Sequence, residues 1–82
     1  MIAGPRAIKN RTRLLEKRSV AIAGHRTSVA LEPEFWAVLK TEAERRRTSF
    51  AGLITAIDRD RGERPLASAL RLAALAAVQA RP

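Results

Sequence analysis

Between residues 26 and 31 the chain alternates. Arg26, Ser28 and Ala30 fall on one side of an extended strand, and Thr27, Val29 and Leu31 on the other. The second side can be buried. The first carries a guanidinium whose fork matches guanine, a hydroxyl that pairs with several base edges, and a methyl that can touch a thymine methyl. Solvent alone accounts for many strand arginines and serines, but a polar face set against an apolar pair points to base contact. Upstream lies a matching charge. Residues 1–26 carry Arg6, Lys9, Arg11, Arg13, Lys17, Arg18 and Arg26 against Glu16 alone, and the rest of the chain is nearly balanced. The whole carries 16 Lys and Arg against 8 Asp and Glu, a formal +8. A basic arm on a near-neutral body suits a polyanion. Base composition of the coding genome also yields Arg and Ala, an explanation with more force for the Ala-rich C-terminus than for the arm.

Other chemistry is poorly supplied. With 82 residues, no cysteine and one histidine, the chain has no disulfide or thiolate metal site, and no histidine-rich metal site. His25 has no evident triad, and the carboxylates fall among helix-surface charges, so no enzyme and no cofactor is expected. Asp58 and Asp60 beside Arg59 and Arg61 read as surface ion pairs rather than metal ligands. Met1-Ile2-Ala3-Gly4-Pro5 opens no apolar leader, and the longest apolar stretch is interrupted by Arg71, so a cytoplasmic protein with no membrane partner is expected. A single domain this small often draws support from another subunit.

The elements that position Arg26 and Ser28 follow from periodicity. Residues 1–17 read as a basic flexible arm, with a short helix over Ile8–Lys17 when bound to DNA. Residues 18–31 are strand-like, but Val20 and Ile22 are even-numbered and Val29 and Leu31 odd-numbered, so one flat strand cannot bury all four, and Gly24 marks a bend or bulge. Glu32-Pro33-Glu34 starts a first helix to about Arg46, with Phe35, Trp36, Leu39 and Ala43 as its stripe. Thr48-Ser49 caps a second helix from Phe50 to about Arg61, in which Phe50, Leu53, Ile54 and Ile57 recur at i, i+3, i+4 and i+7. Gly62 and Pro65 end it. A third helix, Leu66 to Gln79, is rich in Ala and Leu. The domain reading is therefore an arm over 1–17, a core unit over 18–62 and a C-terminal helix over 63–82.

One short strand in a mainly α chain has no partner of its own. Antiparallel pairing with the same strand of a second copy satisfies an edge and sets Arg26, Ser28 and Ala30 of both chains on one side, over a dimer core of Val29, Leu31, Trp36, Leu39, Phe50, Leu53, Ile54 and Ile57. A two-stranded ribbon fits the major groove. This order resembles the ribbon-helix-helix family of bacterial DNA-binding proteins, on Arg26-Thr27-Ser28-Val29-Ala30-Leu31, Glu32-Pro33-Glu34-Phe35-Trp36 and Ser49-Phe50 with Leu53-Ile54. It is similar, more narrowly, to a branch of small members in which Lys17-Arg18-Ser19-Val20, Gly24-His25-Arg26-Thr27-Ser28, Ile57-Asp58 and Ser68-Ala69-Leu70-Arg71 have counterparts.

The resemblance implies a homodimeric repressor on double-stranded DNA, associated with the nucleoid. Arg26, Ser28 and Ala30 would contact bases, and the backbone would be held at the start of the second helix, where free amides form an anion site. Lys17, Arg18, His25, Arg47, Thr48, Ser49 and Phe50 are the candidate backbone contacts. Two departures stand out. Arg47 occupies a turn position where the family commonly has glycine, and Ala30 offers no hydrogen bond. Trp36 reads as core rather than as a stacking platform, and Arg45, Arg46 and Arg47 divide between helix-end charges and DNA contacts. Two alternatives remain at this level: a helix-turn-helix built on the first two helices, and an antitoxin-like protein-interaction module docking a partner through the apolar third helix.

Overall fold

The computed structural model describes residues 15–81. The arm cations Arg6, Lys9, Arg11 and Arg13 and most of the expected Ile8–Lys17 helix lie outside the described residues. Strand β1 (Glu16–Ile22) is followed by β2 (His25–Leu31), α1 (Pro33–Arg45), α2 (Phe50–Asp60) and α3 (Leu66–Gln79). The helices begin where the sequence places them and end within a residue of it.

The strands correct the sequence reading. There are two, not one, and β2 finds a partner inside its own chain: β1 and β2 form an antiparallel hairpin. Glu16 and Lys17 belong to β1 rather than to an arm or a helix. The register pairs Lys17 with Ala30, Ser19 with Ser28 and Val20 with Thr27, so every pair joins an even-numbered residue to an odd-numbered one. Paired residues share a face in an antiparallel ladder. The change of parity between Val20-Ile22 and Val29-Leu31 is thus the mark of a hairpin, not of a bent strand. Ala23 and Gly24 make the two-residue turn, both at positive φ (49° and 88°), as a tight turn matched to strand twist requires. Alanine is a poor residue for that conformation, which is why the turn carries no Asn-Gly or Asp-Gly signature.

Val20, Ile22, Val29 and Leu31 form the inner face and pack with Trp36, Leu39, Ala43, Leu53, Ile54, Leu70 and Ala74 into one core. Phe50 and Ile57 are half-buried against it. The residues assigned to a dimer core therefore enclose themselves within one chain, because β1 covers a flank left open in the one-strand reading and α3 supplies Leu70 and Ala74. Trp36 is 1% exposed, and its indole Nε1–H donates to the Glu16 carbonyl at 2.7 Å. This bond satisfies the buried polar end of the ring and ties α1 to the start of β1. Arg71 of α3 donates to the Glu32 carboxylate at 3.0 Å, closing the helix layer against the β2–α1 junction.

The α1–α2 turn is as specific. The Arg47 amide donates to the Glu44 carbonyl and the Thr48 amide to that of Ala43, the paired bonds of a Schellman ending. Glu42, with its side chain 4% exposed, is clamped by Arg45 at 2.7 Å and Arg46 at 2.6 Å. Hydrogen bonds from those two guanidiniums hold the Glu42 carboxyl well below its ordinary value, at about 2.

Two outcomes follow. Gly24 has open space where a Cβ would stand, so Gly24→Ala meets only the backbone penalty of positive φ and should destabilise the fold by about 1 kcal/mol in denaturant melts. Glu42 has a depressed folded pKa, so its contribution is complete above the unfolded carboxylate value and disappears as pH falls through about 2. Glu42→Gln should lower stability at neutral pH and flatten the loss of Tm on acidification across that window. An unchanged acid slope would show the clamp to be energetically silent.

Candidate nucleic-acid interface

The alternation that buries Val20, Ile22, Val29 and Leu31 sends Lys17, Ser19, Ala21, Arg26, Ser28 and Ala30 to the outer face of the hairpin. All are exposed except Ala30, which is half-buried. The three residues read from sequence as base contacts thus share a solvent-facing surface with three from β1. Arg26 Nη1 lies 3.4 Å from Ser19 Oγ, across the hairpin. Sequence reasoning did not assign Ser19 and Ala21 to this face. The signal was present: an even-to-odd parity change across a gap ending in glycine.

Adjacent Lys17 and Arg18, grouped together as backbone contacts from sequence, separate in the structure. Lys17 faces outward. Arg18 lies on the helix side, paired with Glu16 at 2.6 Å and with its guanidinium 5.2 Å from the centre of the Trp36 ring. A cation over indole is attracted by the negative ring face, so part of the Arg18 charge is committed to the fold. His25 is exposed at the hairpin end, opposite Ile22.

The first turn of α2 flanks this surface. Ser49 is the N-cap, its Oγ accepting from the Gly52 amide at 2.9 Å. Gly52 is needed for that closeness, since a Cβ there would stand 2.7 Å from Thr48 Oγ1 and 3.0 Å from Ser49 Oγ. No backbone hydrogen bond among the described residues uses the Phe50 or Ala51 amides, which leaves two donors at the positive end of the helix dipole. A groove of about 330 Å³ joins them to the hairpin, its walls including Ser19, Ala21, Arg26, Phe50 and Ala51. Of the candidates read from sequence, Arg26, Arg18 and Phe50 line this groove, and Ser28, Ala30, Lys17, His25, Arg47, Thr48 and Ser49 do not.

Arg47 stands just before this helix start with φ 58°, the left-handed conformation expected where glycine is usual. Arg45 and Arg46 are engaged by Glu42, whereas Arg47 makes no salt bridge among the described residues. Asp58 pairs with Arg61 at 2.7 Å, as its surface setting implies.

The ribbon-helix-helix domain profile matches residues 15–78, from just before β1 to the end of α3. The chain belongs to the ribbon-helix-helix family. Its members are in general DNA-binding transcription regulators or antitoxins, they dimerise, and the fold is not an enzymatic one. No curated protein and no solved structure matches the chain. The family assignment displaces the helix-turn-helix alternative: in this ribbon-helix-helix chain, α2 supplies a helix start beside a ribbon.

Arg47 offers a double readout. Arg47→Gly removes the left-handed penalty and should raise stability by up to about 1 kcal/mol. If Arg47 meets a phosphate, the same change weakens DNA binding and makes the slope of log K against log salt shallower by about 1. Higher stability with unaltered DNA affinity would confine Arg47 to the turn.

Proposed function

We propose that this protein binds double-stranded DNA as a homodimer and represses transcription, with the outer hairpin face in the major groove and the start of α2 against the phosphate backbone. The carrying observation is one groove lined by Ser19, Arg26, Phe50 and Ala51, which supports reading the Arg26 guanidinium as a base contact close to a helix start that can hold phosphate. Phosphate contacts at Lys17, Arg47, Thr48, Ser49 and Phe50 hold register, and Arg26 and Ser28 read base edges. Ala30 contributes contact without a hydrogen bond, so specificity per site is modest. Among the described residues no helix is long and apolar enough to cross a membrane, and the reading places the protein in the cytoplasm on the nucleoid.

A second reading, an antitoxin-like module docking a protein through α3, is favoured by one observation: Leu72, Leu75 and Val78 are 44–48% exposed. Against it, Ala69, Leu70, Ala74 and Ala77 on the other side of α3 are buried in the chain's own body. α3 is first an extension of that core.

Purified protein incubated with fragmented genomic DNA at near-physiological salt, followed by sequencing of the retained fragments, tests the proposal. Wild type is expected to enrich a short inverted motif, and an Arg26→Ala/Ser28→Ala variant to lose it while keeping its fold. Retention without any motif by both would make the contact purely electrostatic. No retention by wild type would sink the DNA reading.

A further inference from the structure

A second and larger concavity lies between the end of α1, the second half of α2 and the N-terminal part of α3. It measures about 420 Å³, a size ordinary for small-molecule sites. It shares no lining residue with the groove beside the hairpin. That groove takes Phe50, Ala51 and Ile54 of α2, and this cleft takes Ala56, Ile57 and Asp60, about a third of a turn round the helix and in its other half. No hairpin residue lines it, so the cleft stands apart from the DNA surface described above.

Its rim is charged and its floor is apolar. Arg46, Arg61 and Arg64 line it, against the carboxylate of Asp60 alone. Arg61 is pinned: its Nε donates to Asp58 Oδ1 and its Nη1 to the Arg64 carbonyl, each at 2.7 Å. Its Nη2 makes no hydrogen bond among the described residues. Arg46 engages Glu42 through Nε, which leaves its outer nitrogens free among the described residues. Arg64 is exposed and makes no salt bridge there. Glu42 is shared with Arg45, so four arginines stand against Glu42, Asp58 and Asp60, an excess of one positive charge. The floor is shallow because Ala56, Ala69 and Ala73 are small, and Leu72 beside them is 45% exposed.

We propose that this cleft binds a small organic acid, an apolar body ending in one carboxylate-type oxyanion. The oxyanion meets Arg64 and the free end of Arg61, whose planar forks match it, and Arg46 adds attraction across the cleft. The body covers Ala69, Leu72 and Ala73. Both halves are needed. An inorganic anion would leave the floor wet, and a neutral apolar molecule would set carbon against guanidinium donors and strip them of water. An occupant also bears on the back of α2, the helix whose start flanks the hairpin.

Amide chemical shifts of the full chain, titrated with benzoate at near-physiological chloride and without DNA, test the site. Ala56, Ile57, Ala69 and Ala73 are expected to move while Ser19, Ser28, Phe50 and Ala51 stay still. Acetate lacks the body and benzamide lacks the charge, and each should bind roughly fivefold more weakly than benzoate. Arg64→Gln keeps the backbone carbonyl that Arg61 uses, and should weaken benzoate about threefold while leaving benzamide unchanged. Leu72→Gln, at an exposed position, should bring benzoate down toward acetate. Equal binding of acetate or benzamide overturns the proposal. So do shifts confined to Phe50 and Ala51, which would place the anion at the helix start, and no shift in the cleft, as when a second copy already covers it. A glutamate-rich peptide that moves the cleft amides where benzoate does not would give the cleft to a protein partner and overturn it too. DNA retention is scored separately, so failure of either reading leaves the other standing.

Discussion

The pairing of β1 with β2 through Ala23 and Gly24 is the constraint on which the rest of the molecule depends. It fixes which residues face inward, and those four apolar side chains meet Trp36, Leu39 and Ile54 beneath them. It also brings the Glu16 carbonyl to the Trp36 indole, so the largest side chain in the core is held by an element more than a dozen residues away in sequence. A core closed by burial alone would tolerate slippage of the hairpin. A one-residue slip here would turn Val20 and Ile22 to solvent and remove the indole's partner.

The same register builds the outer face. Nothing about Lys17, Ser19 or Arg26 individually calls for an exposed position; they are outside because their neighbours are inside. The exposed helix start at α2 depends on a separate device, the Schellman ending of α1 and the Ser49 cap. The left-handed Arg47 turns the chain sharply, so that α2 begins beside the hairpin with its Phe50 and Ala51 amides unspent. Arg45 and Arg46 meanwhile neutralise Glu42 and stiffen the helix end that delivers this turn. Strain at Arg47 is local and is compensated by two good hydrogen bonds and a paired carboxylate.

Burial within one chain changes how a dimer must be imagined. Where a single strand per chain leaves its apolar face for a partner, here that face is already covered, and a partner is left an edge and an apolar helix side.

Much of this was legible in the amino-acid sequence. The three helices, the cap at Ser49, the burial of Trp36 and the polar side of Arg26, Ser28 and Ala30 all follow from periodicity and side-chain chemistry acting within a few residues, while the left-handed turn at Arg47 was implied only by the family resemblance. The hairpin was not legible, although its parity mark was, because a two-residue turn of Ala and Gly has no strong local preference and the gain that enforces it comes from Val20 and Ile22 packing on distant helices. The opposite fates of Lys17 and Arg18 were invisible for the same reason: adjacent cations are equivalent in sequence and become distinct only when one side of a strand is covered. Local interactions, then, determined the helices and their ends; only the tertiary structure decided which strand pairs with which, because strand pairing is set by non-local burial and has no energy of its own to announce it along the chain.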